Sequence, residues 1–288
     1  VPIKANEWYP VGKSREVNIS GMALIENTPQ ETAFIVVHDN KKKKQKRAGI
    51  IKISSGSNPF YNSLEWNSKD VPVDLEAISA ISGKPNNFMA LTSAGKVHHL
   101  ELDPNNNSIR VIKSFTAPSI PKGSNFEGFA LQKIGDWQIA IWAERGEDAK
   151  PATIFWSKFN LAEYAFTETG STSLKVNYPN ANVRHISDLK IDSTGKIFIS
   201  SAADAGDDGP FASAVYLAGN LKLDDSSRFI WNPSAELPRI FSIDNRKIEA
   251  FEIIPGEQEK MIFGTDDENL GSAVYVNWQK FSLSNSLY

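Results

Sequence analysis

The chain has 288 residues, of which 41% are hydrophobic, 10% aromatic and 23% charged, a globular balance that excludes disordered, collagenous and membrane-spanning classes. Its formal net charge of -3 and pI near 5.9 give no global attraction for nucleic acid or an anionic membrane. The absence of cysteine excludes disulfides, thiolate chemistry and cysteine-ligated zinc.

In chain order, five segments share one template: an apolar residue, a Ser or Glu, a small or acidic residue, then an apolar alternation. They are Ile19–Leu24, Leu75–Ala80, Phe126–Leu131, Ile186–Ile191 and Ile248–Ile253. Each leads into a turn-like stretch (26–29, 83–86, 135–136, 193–195, 255–256) and a second strand-like run (33–37, 87–91, 137–141, 196–200, 260–264). Third runs follow at 49–53, 96–100 and 273–276, and fourth strands are predicted at 63–66, 109–112, 163–166 and 228–231. The apolar positions alternate and β-branched and aromatic residues dominate, so no helical period of 3.6 is present. The longest apolar runs, such as 34–37 and 138–142, are strand-length, well short of the roughly 18 residues of a transmembrane helix.

Units of four short strands, spaced by about 50 to 60 residues, have the size of propeller blades. The expectation is an all-β, five-bladed β-propeller with four-stranded antiparallel blades, one unit over 1–288 with blades starting near 19, 75, 126, 186 and 248. A β-sandwich of look-alike strands is the alternative. The fifth blade lacks an evident fourth strand, so Trp8–Val11 or the C-terminal Phe281–Leu283 is expected to complete it and remove an exposed edge.

Because the innermost strand of a blade lines the central channel, the repeat predicts a site. Fivefold pseudo-symmetry brings Ser20, Glu76, Glu127, Ser187 and Glu249 near the axis. Three carboxylates in one mouth repel one another unless compensated, and a hard cation with oxygen ligands, calcium before magnesium, suits a ring of Glu and Ser. The structural alternative is that these side chains merely bond neighbouring backbone amides and ordered water.

A second layer comes from the loops at 38–40, 92–93, 144–145, 204–208 and 266–268. These loops contribute Asp39, Asp266, Arg145 and the candidate bases His38 and Glu144. The basic run Lys41–Arg47 reads either as a solvated turn or as a flap holding a phosphorylated ligand. In the second case Lys43, Lys46 and Arg47 act with Arg145, Arg184 and His185. His98 and His99 are adjacent in a strand and face opposite ways, so they cannot share a metal. No Gly-x-Ser-x-Gly elbow, Gly-rich phosphate loop or His-Glu-x-x-His occurs, which disfavours serine nucleophiles and zinc hydrolysis.

The five openings, Ile-Ser-Gly at 19, Leu-Glu-Ala at 75, Phe-Glu-Gly at 126, Ile-Ser-Asp at 186 and Ile-Glu-Ala at 248, resemble the Ser-Glu-Glu-Ser-Glu succession of the SdiA-regulated family of bacterial propellers. Glu144-Arg145 is similar to that family's Glu-Arg, while His38-Asp39 stands where it has Ser-Asp. More distantly, Phe126–Ala130 is similar to the opening of esterase-like phytase domains. The resemblance implies a periplasmic or secreted propeller with calcium in the channel mouth, no organic cofactor, and no established activity. Ala77, Asp188 and Ala250 depart from the glycine that follows the key position, and Thr92-Ser93 replaces an acidic pair.

The expected function is therefore an exported, monomeric propeller that binds calcium and a small anionic or phosphorylated ligand, with phytase-like phosphoester hydrolysis as its catalytic form. The rival is a non-catalytic module whose ion is structural and whose loop tips recognise a protein or glycan. Exposure of Trp8, Trp66 or Trp156 would favour that rival. Neither reading involves nucleic acid or a membrane span.

Overall fold

Alternating apolar residues demand strands that bury at least one face, and strands are what forms. In the computed structural model, residues 7–54, 56–118, 120–256 and 260–277 are described; among them the sole helical element is a 3-10 turn at Glu268–Leu270. Five sheets are arranged as blades around one axis, each built on an antiparallel meander that runs outwards from the axis in sequence order, with added edge strands in blades 2, 4 and 5. No helix among the described residues is long and apolar enough to cross a membrane.

Blade 1 contains Gly21–Asn27, Glu31–Val37, Ala48–Ser54 and Phe60–Ser63. Blade 2 contains Leu75–Ala80, Asn87–Thr92, Lys96–Asp103 and Ser108–Thr116. Blade 3 contains Phe126–Ile134, Trp137–Glu144, Ala152–Asn160 and Ala165–Leu174. Blade 4 contains Val183–Ile191, Lys196–Asp204 and Phe211–Leu223; this third strand is long enough to carry two outer strands, Phe229–Pro233 and Arg239–Asp244. Blade 5 contains Ile248–Ile254, Lys260–Thr265 and Ser272–Asn277.

The N-terminal strand Trp8–Gly12 completes blade 5, with Trp8 opposite Tyr275, so one blade is built from both ends of the chain. The alternative closing segment, Phe281–Leu283, lies outside the described residues. Two expectations are corrected. The segment 63–66 is not one strand: Ser63 ends blade 1, while Glu65–Trp66 crosses to pair in parallel with Ser108 and Ile109 at the edge of blade 2. The outermost strand of blade 3 begins at Ala165 and runs to Leu174, later and longer than 163–166.

Blades are joined by apolar seams, one at each of the five interfaces. Ile35, Leu75 and Phe88 lie in the seam between blades 1 and 2, and Met89, Phe129 and Trp142 between blades 2 and 3. Ile141, Ile186 and Ile199 fill the next, Phe198, Phe251 and Phe263 the fourth, and Ile19, Phe34 and Ile262 close the ring. Central strands are thus covered on both faces, which is why they read as near-continuous apolar runs.

A candidate site at the channel mouth

The geometry at the axis begins with a local irregularity. In blade 2 Leu75 pairs with Thr92 and Ala77 with Leu91, so Glu76 is an extra residue without a partner, a β-bulge. The same shift isolates Glu127 between Phe126 and Gly128, and Glu249 between Ile248 and Ala250. In blade 4 the shift falls between Arg184 and Asp188 and takes in Ser187. A bulge re-aims a side chain out of the alternating pattern; in these four blades it turns the key residue into the channel while its apolar neighbours stay in the seams. In blades 1 and 3 the following position is glycine because the innermost strands nearly touch there. A Cβ on Gly21 would lie 2.8 Å from the Cα of Ala77.

Ser20, Glu76, Glu127, Ser187 and Glu249 all line one cavity of about 180 Å³ with almost wholly polar walls. Asp39, Asp74, Asp204, Asp266 and Glu268 line it too, together with Asn125, Lys41, Arg145, Arg184 and Lys247. Eight carboxyl groups therefore face four cationic side chains, so the mouth cannot be fully ionised without further compensation.

The cations are unevenly shared. Lys247 Nζ sits 2.8 Å from Glu268, 3.3 Å from Asp204 and 3.4 Å from Glu249. Arg145 lies 3.6 Å from Glu127, and Arg184 is drawn outwards to Glu147 at 2.6 Å. On the remaining side, carboxylate oxygens of Asp39, Asp74 and Glu76 lie within 4.8 Å of one another; among the described residues the exposed Lys41 forms their one ion pair, 3.9 Å from Asp74, while the charge of Lys247 reaches Asp39 without pairing to it.

Burial and crowding hold protons on this site. Burial, followed by the charge of Asp74, pushes Asp39 up to about 6, and burial pushes Glu127 up to about 7 against the pull of Arg145. Asp266 is pushed up to about 8 by burial and then by Asp39. Burial drives Glu76 and Glu249 well above the carboxylate range, with Glu127 adding to both and Lys247 opposing it at Glu249. Glu76 is within hydrogen-bonding reach of Asp74 and Glu127, an arrangement that requires a shared proton or a cation.

Other expected residues are placed elsewhere. His38 is buried behind the mouth, its ring bonded to the Asn18 carbonyl and, at 2.8 Å, to the Tyr61 hydroxyl; burial pushes it down to about 4. Glu144 is likewise buried and paired to Lys150 at 2.6 Å, off the cavity lining. Neither is positioned as a base for a group in the mouth.

His185 accepts a hydrogen bond from the Val176 amide through Nδ1 and donates through Nε2 to the Asp148 carbonyl, so it supports a loop. Arg47 is buried and donates to the carbonyls of Pro72, Lys42 and Gln45, pinning the base of the lysine turn. Lys43 and Lys46 are exposed and outside the cavity lining, and of the basic run Lys41 alone borders it. Trp8, Trp66 and Trp156 are not the exposed residues that a recognition patch would need either. Trp8 packs on Tyr275, Trp66 is half-buried, and Trp156 is buried against Trp231 with ring centroids 6.0 Å apart.

Asp74, Asn125 and Lys247 went unassigned on sequence, yet each stands two residues before a key glutamate. The same offset gives Asn18 before Ser20 and His185 before Ser187, so a polar residue at that offset is the missed signal. Asn18 works indirectly: its Oδ1 accepts from the Ser20 hydroxyl and the Asp39 amide.

The mouth is blind. Deeper in the channel Lys190 Nζ donates to the carbonyls of Met22 and Ile78 at 2.8 Å each, and the buried Asp188 accepts from the Leu189 and Phe251 amides.

No family model and no curated protein matches the sequence. By structure the chain is similar to an α-L-arabinofuranosidase from Lactobacillus brevis, at TM-score 0.51 and 11% identity over 94% of this chain and 96% of that one. It is also similar to an exo-1,5-α-L-arabinanase from a bovine ruminal metagenomic library, at TM-score 0.51 and 8% identity over 90% and 92% of the two chains. At these identities the likeness shows the five-bladed fold and nothing finer.

Proposed function

We propose that the chain is a divalent-cation-binding propeller that holds calcium at Asp39, Asp74 and Glu76 and, against that ion, a small polar ligand. The observation that carries the reading is the convergence of these three carboxylates, within 4.8 Å, on a side of the acid-rich mouth where, among the described residues, no buried cation forms an ion pair with them. Calcium accepts six to eight oxygen ligands in flexible geometry, and the remaining places fall to water or ligand hydroxyls. This ligand set differs from the expected Glu76, Glu127, Glu249, Ser20 and Ser187. Arg145 and Lys247 compensate two of the glutamates, and the Ser187 hydroxyl is engaged with Ser200 and the Ile248 carbonyl.

A neutral polyhydroxyl ligand suits the mouth better than a phosphorylated one. The excess of carboxylates repels a bare phosphate, and Lys43, Lys46 and Arg47 lie outside the cavity lining. The phytase-like phosphoesterase form thus loses its anion clamp. The resemblance to SdiA-regulated propellers, and the export it implies, rest on the five openings and Glu144-Arg145.

Calorimetric titration of calcium into chelator-stripped protein tests the reading. Binding is expected in the native protein, and Asp74→Asn is expected to weaken it at least tenfold, about 1.4 kcal/mol. Native protein that binds no calcium would overturn it.

A second reading, glycoside hydrolysis, draws on one further observation. Glu127, held near pH 7, adjoins other carboxyl groups, and an acid paired with a carboxylate is the equipment of that reaction. The two structural neighbours named above are described as acting on arabinose-containing glycans. Release of nitrophenol from aryl arabinofuranosides, abolished in Glu127→Gln, is the outcome this reading requires.

A further inference from the structure

The mouth holds two sets of three carboxylates, and they differ in one respect. Among the described residues, Asp39, Asp74 and Glu76 converge with no buried cation in ion-pair contact, whereas Asp204, Glu249 and Glu268 converge on the ammonium of Lys247. That side chain is only 5% exposed, and its Nζ reaches one oxygen of each carboxylate at 2.8 to 3.4 Å. Calcium would hold the same oxygens at about 2.3–2.6 Å, so the ammonium stands where an ion would, with slightly longer bonds.

The three acids come from different segments: Asp204 ends the second strand of blade 4, Glu249 is the bulged residue of blade 5, and Glu268 lies in the loop after that blade's second strand. Without the ammonium they would confront one another uncompensated in a buried place, and only protons or a metal would relieve them.

We infer that Lys247 is a fixed internal cation that keeps the second carboxylate set closed to metal, so that the mouth takes a single divalent ion, on the Asp39, Asp74 and Glu76 side. The inference deepens the cation-binding reading and rests on it for the location of that single ion. It also bears on chemistry. Hydrolysis by a pair of ions needs two metals about 3.5–4 Å apart, bridging the attacking and leaving oxygens. A lysine whose ammonium is already ringed by three carboxylates leaves no second metal position.

The test compares the native protein, Lys247→Met and Lys247→Arg by calorimetric titration with calcium chloride, folding being followed by circular dichroism. Lys247→Met is expected to bind one ion more than the native protein, and Lys247→Arg the same number as the native protein. Folded Lys247→Met that binds no additional ion overturns the inference. If the native protein binds none and Lys247→Met binds one, the Asp39, Asp74 and Glu76 reading falls while the role of Lys247 stands. Should Lys247→Met be unfolded without metal, refolding on addition of calcium supports the inference, and a chain that stays unfolded in saturating calcium overturns it.

Discussion

Replacing Lys190 with methionine asks whether a buried ammonium ties three blades together across the channel. Its Nζ donates to main-chain carbonyls of blades 1 and 2 from a strand of blade 4 and lies 3.9 Å from Glu252 of blade 5. Methionine keeps most of the aliphatic stem, so the substitution isolates the charge from the packing. A hydrogen bond to a charged group is worth about 1.5–3 kcal/mol, and removing one partner of a buried ionic group costs about 3–5 kcal/mol. Lys190→Met is accordingly expected to cost about 4 kcal/mol, which for 288 residues and an unfolding entropy of about 2.1 cal/mol/K per residue lowers Tm by about 7 °C. Urea unfolding followed by tryptophan fluorescence measures it, with the exposed Lys222→Met as control. A loss below about 1 kcal/mol at an unchanged denaturant slope refutes the proposed tie.

Two further outcomes follow from the same geometry. In metal-free protein, stability is expected to fall as pH rises from 6.5 to about 8. Glu127, Asp188 and Asp266 keep native protons up to about 7, 8 and 8, protons that the unfolded chain gives up near 4.5 and 3.8. His38 and His98, pushed down to about 4, act in the opposite direction only below their ordinary 6.5, so the upper window belongs to the carboxyls. Thermal melts in chelator across that range check the sign, and a rising Tm contradicts it. Separately, Gly21→Ala sets a Cβ 2.8 Å from backbone of the neighbouring blade and is expected to destabilise by about 1–3 kcal/mol in the same urea assay.

Much of the fold was legible because each blade repeats the same register. The openings at 19, 75, 126, 186 and 248 marked the innermost strands, and the missing fourth strand of the fifth blade left Trp8–Val11 or Phe281–Leu283 to complete it, a choice the pairing of Trp8–Gly12 makes. What sequence pattern did not carry was edge pairing. Glu65–Trp66 changes blade, and Arg239–Asp244 finds room beside a 13-residue strand; both depend on which unpaired edge lies near, a property of the assembled sheets. The lysine turn misled for a related reason. Its charge is visible in sequence, but the use of Arg47 is not: its buried guanidinium gathers three carbonyls and pins the turn, and of the run Lys41 alone lines the mouth.

The channel ring raises a sharper point about alternation. Strict period-two reading puts Glu76 on the opposite face from Leu75 and Ala77, and in a sheet covered on both sides that face belongs to an apolar seam. Burying three glutamates in seams would be prohibitive, so a glutamate recurring at that position already implies that the strand breaks register there. The bulges at Glu76, Glu127 and Glu249 are that break. Once the ring is formed, a second question opens that the repeat does not answer, namely which carboxylates are already compensated. Residues outside the template decide it: Lys247 and Arg145 engage Glu249 and Glu127, and Asp74, with no buried cation beside it, joins Glu76 and Asp39. The ring's symmetry therefore sets where charge gathers, and residues outside the repeat, Lys247, Arg145 and Asp74, set where an ion can still enter.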